Sequence, residues 1–227
     1  MIPLSDMNPT RRLPLVNRVL LLVNIAAWLY VLTLPGAEVG ALYDRYAFDP
    51  AALRVAIDAG RVDAGTLVPL VTHMFLHGGW LHLIGNMLYL WIFGDNVEDR
   101  LGSGRYLVFY LLAGLVAALV QAVIAPAAMV GASGAVAAVL GAYLVLFPGA
   151  RVRTLVFLGI FITIVSLPAI VVIGLWVVVQ VLSSLAGLRM DVHEAENVAY
   201  FAHVGGFFAG IGLLLVLRPQ RRSLRVR

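Results

Sequence analysis

Six apolar runs constrain the fold of this chain more than any other feature of its sequence. They lie near 15–34, 80–97, 105–124, 131–147, 167–187 and 198–217. A helix needs about 20 mostly apolar residues to cross a hydrocarbon layer of about 30 Å. Hydrophobic residues make up 62% of the chain and charged residues only 12%, which is too little polar surface to keep a soluble domain in water. The sequence therefore predicts an all-α, polytopic membrane protein with a bundle of six transmembrane helices.

Two connecting segments need a separate interpretation. The stretch 154–166 is too short to cross a bilayer and is rich in β-branched residues. Pro168 follows it and suits the first turn of a helix, because its ring fixes φ and it lacks the N–H that a helix interior requires. We therefore expect the fifth helix to begin at this proline, with 154–166 as an interfacial or re-entrant connection. The long segment 35–79 is expected to lie at the outer interface.

The arginine residues predict the orientation of the six helices. All 16 basic residues are arginine, and twelve of them fall in segments that an even number of spans leaves on one side. The positive-inside rule assigns that side to the cytoplasm, with both termini. The twelve are Arg11, Arg12, Arg18, Arg100, Arg105, Arg151, Arg153, Arg218, Arg221, Arg222, Arg225 and Arg227. This placement explains the net charge of +4 without a nucleic-acid partner.

The same reasoning divides the chain into three parts. Residues 1–13 are expected to form a cytoplasmic amino-terminal segment, 14–217 a six-span membrane domain, and 218–227 an arginine-rich cytoplasmic tail. The compact chain carries no sequence typical of a transit peptide. We therefore expect a multi-pass protein of a bacterial cell (inner) membrane.

Four polar residues inside the apolar runs are candidates for a functional site, because polar groups in a membrane helix are costly. His82 and Asn86 lie four residues apart in the second run, Ser133 opens the fourth run, and His203 lies in the sixth. Ser133 by itself has three possible roles: helix packing, lining of a pore, or a nucleophile. The four-residue spacing places His82 and Asn86 on one helical face.

Topology places these residues at similar depth. Helices two, four and six run in the same direction, from the outer face inward, and each carries its polar residue within about 10 Å of its start. Small residues four apart, including Gly141 on helix four and Gly206 and Gly210 on helix six, allow close helix approach in lipid. Ser133 and His203 are thus expected within hydrogen-bond reach, the geometry in which a base activates a hydroxyl nucleophile.

A dyad of Ser133 and His203 is the economical proposal, because no Asp or Glu lies inside helices four or six to complete a triad. His82 and Asn86 would then donate hydrogen bonds to a developing oxyanion, together with the backbone N–H of Ser133. Gly131, Gly134 and Gly206 are expected to allow close packing around the site.

In these residues and their order, the chain resembles the rhomboid intramembrane serine proteases. The matching motifs are Gly131-Ala-Ser-Gly134 for GxSG, His82-Leu-Ile-Gly-Asn86 for HxxxN, and Ala202-His-Val-Gly205 around the histidine of the last helix. The resemblance covers about 14–217. It implies Ser133 as nucleophile, His203 as general base and acid, and His82 with Asn86 in the oxyanion site. It also implies cleavage of a peptide bond in or near a substrate's transmembrane helix.

Two features depart from that family's pattern. Some members carry a Tyr one turn after the serine, stacked on the catalytic histidine, whereas this chain has Ala137. The orientation of His203 must therefore come from another residue. The Trp-Arg pair that some members have in the first loop is missing from this sequence, which leaves the role of 35–79 open.

Other function classes make different demands on the sequence. The alternatives are a proteolytically inactive rhomboid-like protein that binds clients, and a small-solute channel or transporter lined by the same polar groups. His73 and His77 have a spacing that suits a metal pair, but no HExxH motif or acidic ligand accompanies them. We predict no cofactor and no metal. The expected partners are transmembrane protein substrates and the lipid bilayer.

Overall fold

The architecture was obtained as a computed structural model, which describes residues 1–159, 161–187 and 199–217. Six long helices lie at the six predicted positions. They are α1 (Leu15–Thr33), α6 (Trp80–Leu101), α7 (Ser103–Ile124), α8 (Ser133–Leu146), α9 (Ala169–Gly187) and α10 (Tyr200–Leu217). The prediction of a polytopic six-helix bundle is confirmed. The segment between the last two helices and the arginine-rich tail lie outside the described residues.

The six helices differ in how well each suits a membrane by length and composition. Among the described residues, α1, α7, α9 and α10 are long and apolar enough to cross. Helix α6 qualifies together with the bent segment Ala64–Phe75 before it, at an angle of 77°. Helix α8 has only 14 residues, or about 21 Å at 1.5 Å per residue.

Helix α8 forms the centre of the bundle. Its residues from Gly134 to Tyr143 are all buried, and α10 packs directly along it. Gly206 of α10 lies against the carbonyl of Gly134, and Gly210 lies against the carbonyl of Ala138. A side chain at either glycine would collide with backbone, so the two helices touch main chain to main chain.

The segment between α1 and α6 is mostly helical. It consists of α2 (Gly36–Tyr46), α3 (Pro50–Asp58), α4 (Ala64–Leu67), α5 (Pro69–Thr72) and a 3₁₀ turn (His73–Phe75). The side chain of Asp49 accepts the Ala51 N–H and caps α3. Phe48 exchanges backbone hydrogen bonds with Met129, which ties this segment to the connection that leads into α8.

A small antiparallel sheet closes the other end of the bundle. Strands β2 (Arg151–Leu158) and β3 (Phe161–Pro168) form a hairpin, and β1 (Ile2–Asp6) pairs with β2 to give the order β1-β2-β3. The predicted connection 154–166 therefore lies within a hairpin, which agrees with its β-branched content. Helix α9 begins at Ala169, directly after Pro168, as the proline predicts. The pairing of the amino-terminal segment was not predicted.

Paired polar side chains join the sheet and α1 to the carboxyl-terminal end of α6. Buried Glu98 accepts hydrogen bonds from the Val16 N–H (3.1 Å), the Asn17 N–H (2.7 Å) and the Ser103 hydroxyl (2.6 Å). A carboxylate in this place satisfies free N–H groups at the start of α1 and complements the helix dipole. Asn17 in turn donates to the Leu90 carbonyl and accepts from the Tyr106 hydroxyl.

Asp6 connects β1 to the same region. Its Oδ2 atom accepts from the Asn96 amide (2.9 Å) and from the Tyr143 hydroxyl (2.7 Å). Burial raises the pKa of Asp6 above its ordinary value, and the hydrogen bond from Tyr143 opposes that shift. The amino-terminal strand is thus held by polar contacts as well as by backbone pairing.

Candidate active site

The four polar residues singled out by the sequence line one cavity. Ser133, His203, His82 and Asn86 all face a space of about 1310 Å³ at the opposite end of the bundle from the sheet. Apolar and aromatic side chains complete much of the wall, among them Trp80, Leu81, Tyr89, Met129, Val136, Leu140 and Trp176. A large apolar cavity with a few converging polar groups is the usual form of a binding or catalytic site.

Ser133 is the first residue of α8, and a glycine turn delivers it to the cavity. Gly131 has a φ of 121°, a region that side-chain-bearing residues rarely adopt. Its N–H donates to the His73 carbonyl at 2.8 Å. A Cβ atom at this position would lie 2.5 Å from His82 Nε2, so the backbone passes directly beside the imidazole. Glycine at 131 is therefore required both by conformation and by space.

His82 and Asn86 present nitrogen atoms beside this turn. A Cβ built on Gly131 would lie 2.5 Å from His82 Nε2 and 3.7 Å from Asn86 Nδ2, which shows that both nitrogens face the residue two before Ser133. His82 Nδ1 accepts the Gly78 N–H at 3.5 Å. Asn86 is buried, and within the described part of the chain its Nδ2 has no hydrogen-bond partner. An unpaired buried amide is costly, so this donor is available to a ligand.

His203 reaches the cavity from α10, and a glutamine of α9 holds it. The Nδ1 atom of His203 lies 2.7 Å from Gln180 Oε1. The ring of Trp176 lies 6.0 Å from the imidazole between centroids, and the ring of Tyr200 lies 6.1 Å away, nearly perpendicular to it. Three side chains from two helices thus surround the histidine.

The structure brings Ser133 and His203 to the same cavity without a direct hydrogen bond. Among the described residues, none of the hydrogen bonds joins the Ser133 hydroxyl to the imidazole, although the sequence predicts such reach. Bonds of this kind often lengthen in a free enzyme and shorten when substrate is bound. The roles of these two residues, and of His82 and Asn86, stay predictions.

Gln180 and Trp176 are residues near the site that sequence reasoning missed. Both lie on α9, four residues apart and so on one helical face. Gln180 stands in the apolar run Val177-Val-Val-Gln180-Val-Leu, and the rule that singled out the other intramembrane polar residues applies to it equally. Its partner could not be deduced from spacing, because the connection between α9 and α10 fixes no register between them.

His73 and His77 support the site from the segment before α6. His73 Nδ1 lies 2.9 Å from the Pro69 carbonyl, while the His73 carbonyl holds Gly131. The ring of His77 meets the ring of His82 edge to face at 5.1 Å. In the described ranges, no group of three or more potential metal-ligating side chains occurs. The two histidines contact the turn and the oxyanion candidates.

The fold and the site together define a multi-pass membrane protein with a polar centre in a cavity between its helices. A family model described as the Rhomboid domain matches residues 64–220. The chain belongs to the rhomboid family.

Named relatives agree with this assignment. The chain is 34% identical to the rhomboid protease GluP of Bacillus subtilis (strain 168) over 145 residues, which covers 63% of this chain and 25% of that protein. It is 31% identical to RHOMBOID-like protein 5 of Arabidopsis thaliana over 170 residues, covering 73% of this chain and 49% of the relative. It is also 37% identical to the rhomboid protease GlpG of Salmonella newport (strain SL254) over 70 residues, covering 31% and 25%. The chain thus spans between a quarter and a half of these relatives.

Proposed function

We propose that this protein is an intramembrane serine endopeptidase that cleaves transmembrane or juxtamembrane segments of membrane proteins. The observation that carries the proposal is the shared cavity, in which a serine hydroxyl, an imidazole and an unpaired amide donor meet. Two of the relatives above are named proteases. The family alone does not decide activity, so the argument rests on the chemistry that these side chains can perform.

The proposed reaction begins with Ser133. His203 Nε2 takes the hydroxyl proton while the serine oxygen attacks the carbonyl carbon of the scissile peptide bond. The tetrahedral intermediate collapses, the C–N bond breaks, and His203 returns the proton to the leaving amine. Water then attacks the acyl-enzyme with His203 again as base, which releases the carboxylate product and restores the serine.

The oxyanion is the second element of the mechanism. His82 Nε2 and Asn86 Nδ2 are proposed to donate to the negative oxygen of the tetrahedral intermediate, along with the Ser133 backbone N–H at the start of α8. Their position beside Gly131 supports this role. A helix N-terminus also carries partial positive charge and adds to the stabilisation. Donors that are already oriented need no rearrangement when the charge forms.

The short length of α8 supports a position of the site below the membrane surface. About 21 Å of helix covers only part of a hydrocarbon layer of about 30 Å, so one end of α8 lies below the membrane surface. The cavity supplies the space by which water and a peptide segment reach Ser133 at that depth. A substrate helix that enters laterally would have to unwind there, which favours substrates with Gly or Pro near the scissile bond.

We also propose the orientation and location predicted from the arginine residues. Both termini, the sheet and the inner end of α6 would lie in the cytoplasm of a bacterium, with 14–217 as the membrane domain and the catalytic cavity opening outward. The chain contains no cysteine. Single cysteines introduced at Ser5 and at Asp63 therefore allow labelling by an impermeant maleimide from either side of a cell membrane. Outside labelling of the Ser5 position would overturn this orientation.

Labelling by a fluorophosphonate probe tests the proposed nucleophile. The purified, bilayer-reconstituted protein should react, and Ser133→Ala and His203→Ala should lose the reaction. Ser184→Ala is the matched control, since its buried hydroxyl donates to the Gln180 carbonyl within α9. Cleavage of a membrane-anchored model substrate should follow the same order. A folded wild-type protein that takes up no label would overturn the dyad and favour a client-binding member.

A solute-flux assay separates the proposal from the channel alternative. A channel lined by the same groups would pass small solutes in Ser133→Ala as well as in the wild type. Flux that persists in this variant, without any cleavage by the wild type, would contradict the protease proposal.

A further inference from the structure

A hydrogen bond between the neighbouring helices α9 and α10 joins Gln180 to His203. We propose that Gln180 is a positioning residue that fixes the tautomer and the ring plane of His203. The proposal deepens the proposed function and rests on it for its catalytic consequence. Its structural content, the state of the imidazole, stands independently.

The hydrogen-bonding chemistry of the Gln180 amide and the His203 imidazole determines the tautomer of His203. The carbonyl oxygen of a glutamine side chain only accepts hydrogen bonds, and it lies 2.7 Å from His203 Nδ1. The bond therefore requires the hydrogen on Nδ1, which leaves Nε2 with a free lone pair. A free Nε2 is what a general base needs to take the proton of Ser133. In the opposite tautomer, Nε2 would carry the hydrogen and could not act as a general base towards Ser133.

The residues around Gln180 and His203 restrict other orientations of the imidazole. Gln180 is 9% exposed, so little water competes for its oxygen. Trp176, one turn earlier on α9, lies at 35° to the imidazole, and Tyr200, one turn earlier on α10, lies at 84°. The two rings limit rotation of His203, and the amide selects one of the remaining orientations.

Within the described part of the chain, Ala137 of α8 offers the imidazole of His203 no alternative partner. Ala137 lies one turn after Ser133 on α8 and is fully buried, and its methyl group neither stacks on a ring nor forms a hydrogen bond. In the described residues, the contact with Gln180 is the side-chain hydrogen bond that His203 makes. Orientation of the imidazole thus depends on α9.

Nitrogen NMR of the imidazole tests the tautomer directly. With ¹⁵N-labelled histidine in the reconstituted protein, His203 should give the signals of a ring protonated at Nδ1, assigned by their loss in His203→Ala. Gln180→Met keeps the side-chain volume and suits an apolar helix, but removes the acceptor. It should shift the His203 signals towards the Nε2-protonated form. Gln180→Glu restores an acceptor and should restore the Nδ1-protonated signals.

Gln121 offers a matched control. It is another buried glutamine, whose Oε1 accepts the Ala202 N–H at 3.1 Å and whose Nε2 donates to the Ala125 carbonyl. Gln121→Met removes bonds next to His203 in the chain without touching the imidazole. It should lower stability and leave the His203 signals unchanged. If Gln121→Met shifts the signals as much as Gln180→Met does, Gln180 has only a general structural role.

The reactivity of Ser133 tests whether the tautomer of His203 matters for the proposed function. Fluorophosphonate labelling of Ser133 should be about 10²-fold slower in Gln180→Met, the size of a typical general-base contribution, and should recover in Gln180→Glu to within about tenfold. Unchanged signals and unchanged labelling in Gln180→Met would overturn the inference and leave the protease proposal intact. A tautomer shift in a protein that never labels would support the positioning contact and overturn the protease proposal.

Discussion

Buried polar side chains towards the two ends of α6 differ in whether they have hydrogen-bond partners. At the carboxyl-terminal end, Asn96 and Glu98 have partners for the groups they bury, and these partners come from α1, α7 and β1. About three turns nearer the amino-terminal end of α6, Asn86 is also buried, but its amide nitrogen has no partner in the described residues. Paired groups hold the fold together, whereas an unpaired donor beside a cavity is available for another molecule.

A substitution at the carboxyl-terminal end of α6 should give the largest loss of stability. Glu98→Ala removes three accepted hydrogen bonds and leaves buried N–H and hydroxyl donors without partners. We expect a decrease of about 3 kcal/mol or more in the free energy of unfolding. Unfolding by denaturant in detergent micelles measures it. Glu98→Gln, which keeps an acceptor oxygen, should lose less, and equal losses would contradict the pairing.

A substitution at Asn86, nearer the amino-terminal end of α6, should give a loss of activity instead. Asn86→Ala removes a proposed oxyanion donor, so we expect cleavage to slow by about 10²-fold or more, with little change in stability because no native bond is lost. The measurement is kcat for a membrane-anchored substrate, alongside the unfolding midpoint. Asn96→Ala is the paired control on the same helix. It should cost about 1 kcal/mol of stability and keep kcat, and a reversed result would break the comparison.

A substitution in the turn before Ser133 should lower both stability and reactivity, each by an intermediate amount. Gly131→Ala forces a side chain into a positive-φ conformation and against His82 Nε2. We expect a loss of about 1–2 kcal/mol of stability and a fall in fluorophosphonate labelling of about tenfold. Gly149→Ala is a suitable control, because a Cβ there would meet no atom within 4 Å. Normal labelling in Gly131→Ala would show that this turn does not position the site.

The smallest expected effect concerns Asp6, which accepts a hydrogen bond from Asn96 of α6. Its pKa is raised in the folded state by burial, so the folded protein binds this proton more tightly than the unfolded chain. The resulting stabilisation is present below the unfolded pKa and is lost as pH rises through the raised one. Asp6→Asn should remove this dependence and change stability by less than about 1 kcal/mol. Unfolding measured between pH 4 and pH 7 tests it, and an unchanged slope would contradict it.

Much of the bundle could be predicted because apolar length and small-residue spacing are local properties. The six helix positions required only the approximate thickness of a membrane, and Pro168 marked the start of α9. Ser133, His82, Asn86 and His203 were found because a polar residue inside an apolar run is conspicuous. Parallel helix directions then placed them at one depth, and the structure places all four on one cavity.

The parts that could not be predicted depend on contacts distant in sequence. The strand Ile2–Asp6 has no sequence pattern that distinguishes it from a disordered segment, and its partner β2 follows only after eight α-helices. Gln180 was visible as a polar residue, but its contact with His203 depends on how α9 packs beside α10. Helix rotation of this kind is set by side-chain packing, which a single sequence does not encode in any short motif.

The sheet has a consequence for synthesis. Residues 2 to 6 pair with residues 152 to 155, so β1 meets its partner strand only after α8 has been synthesised. At about 5–20 residues per second, that interval is roughly 7 to 30 s. Through this time β1 has no partner strand while α1 to α8 are synthesised. Closure of the sheet is therefore a late event, and it tethers the beginning of the chain to its second half.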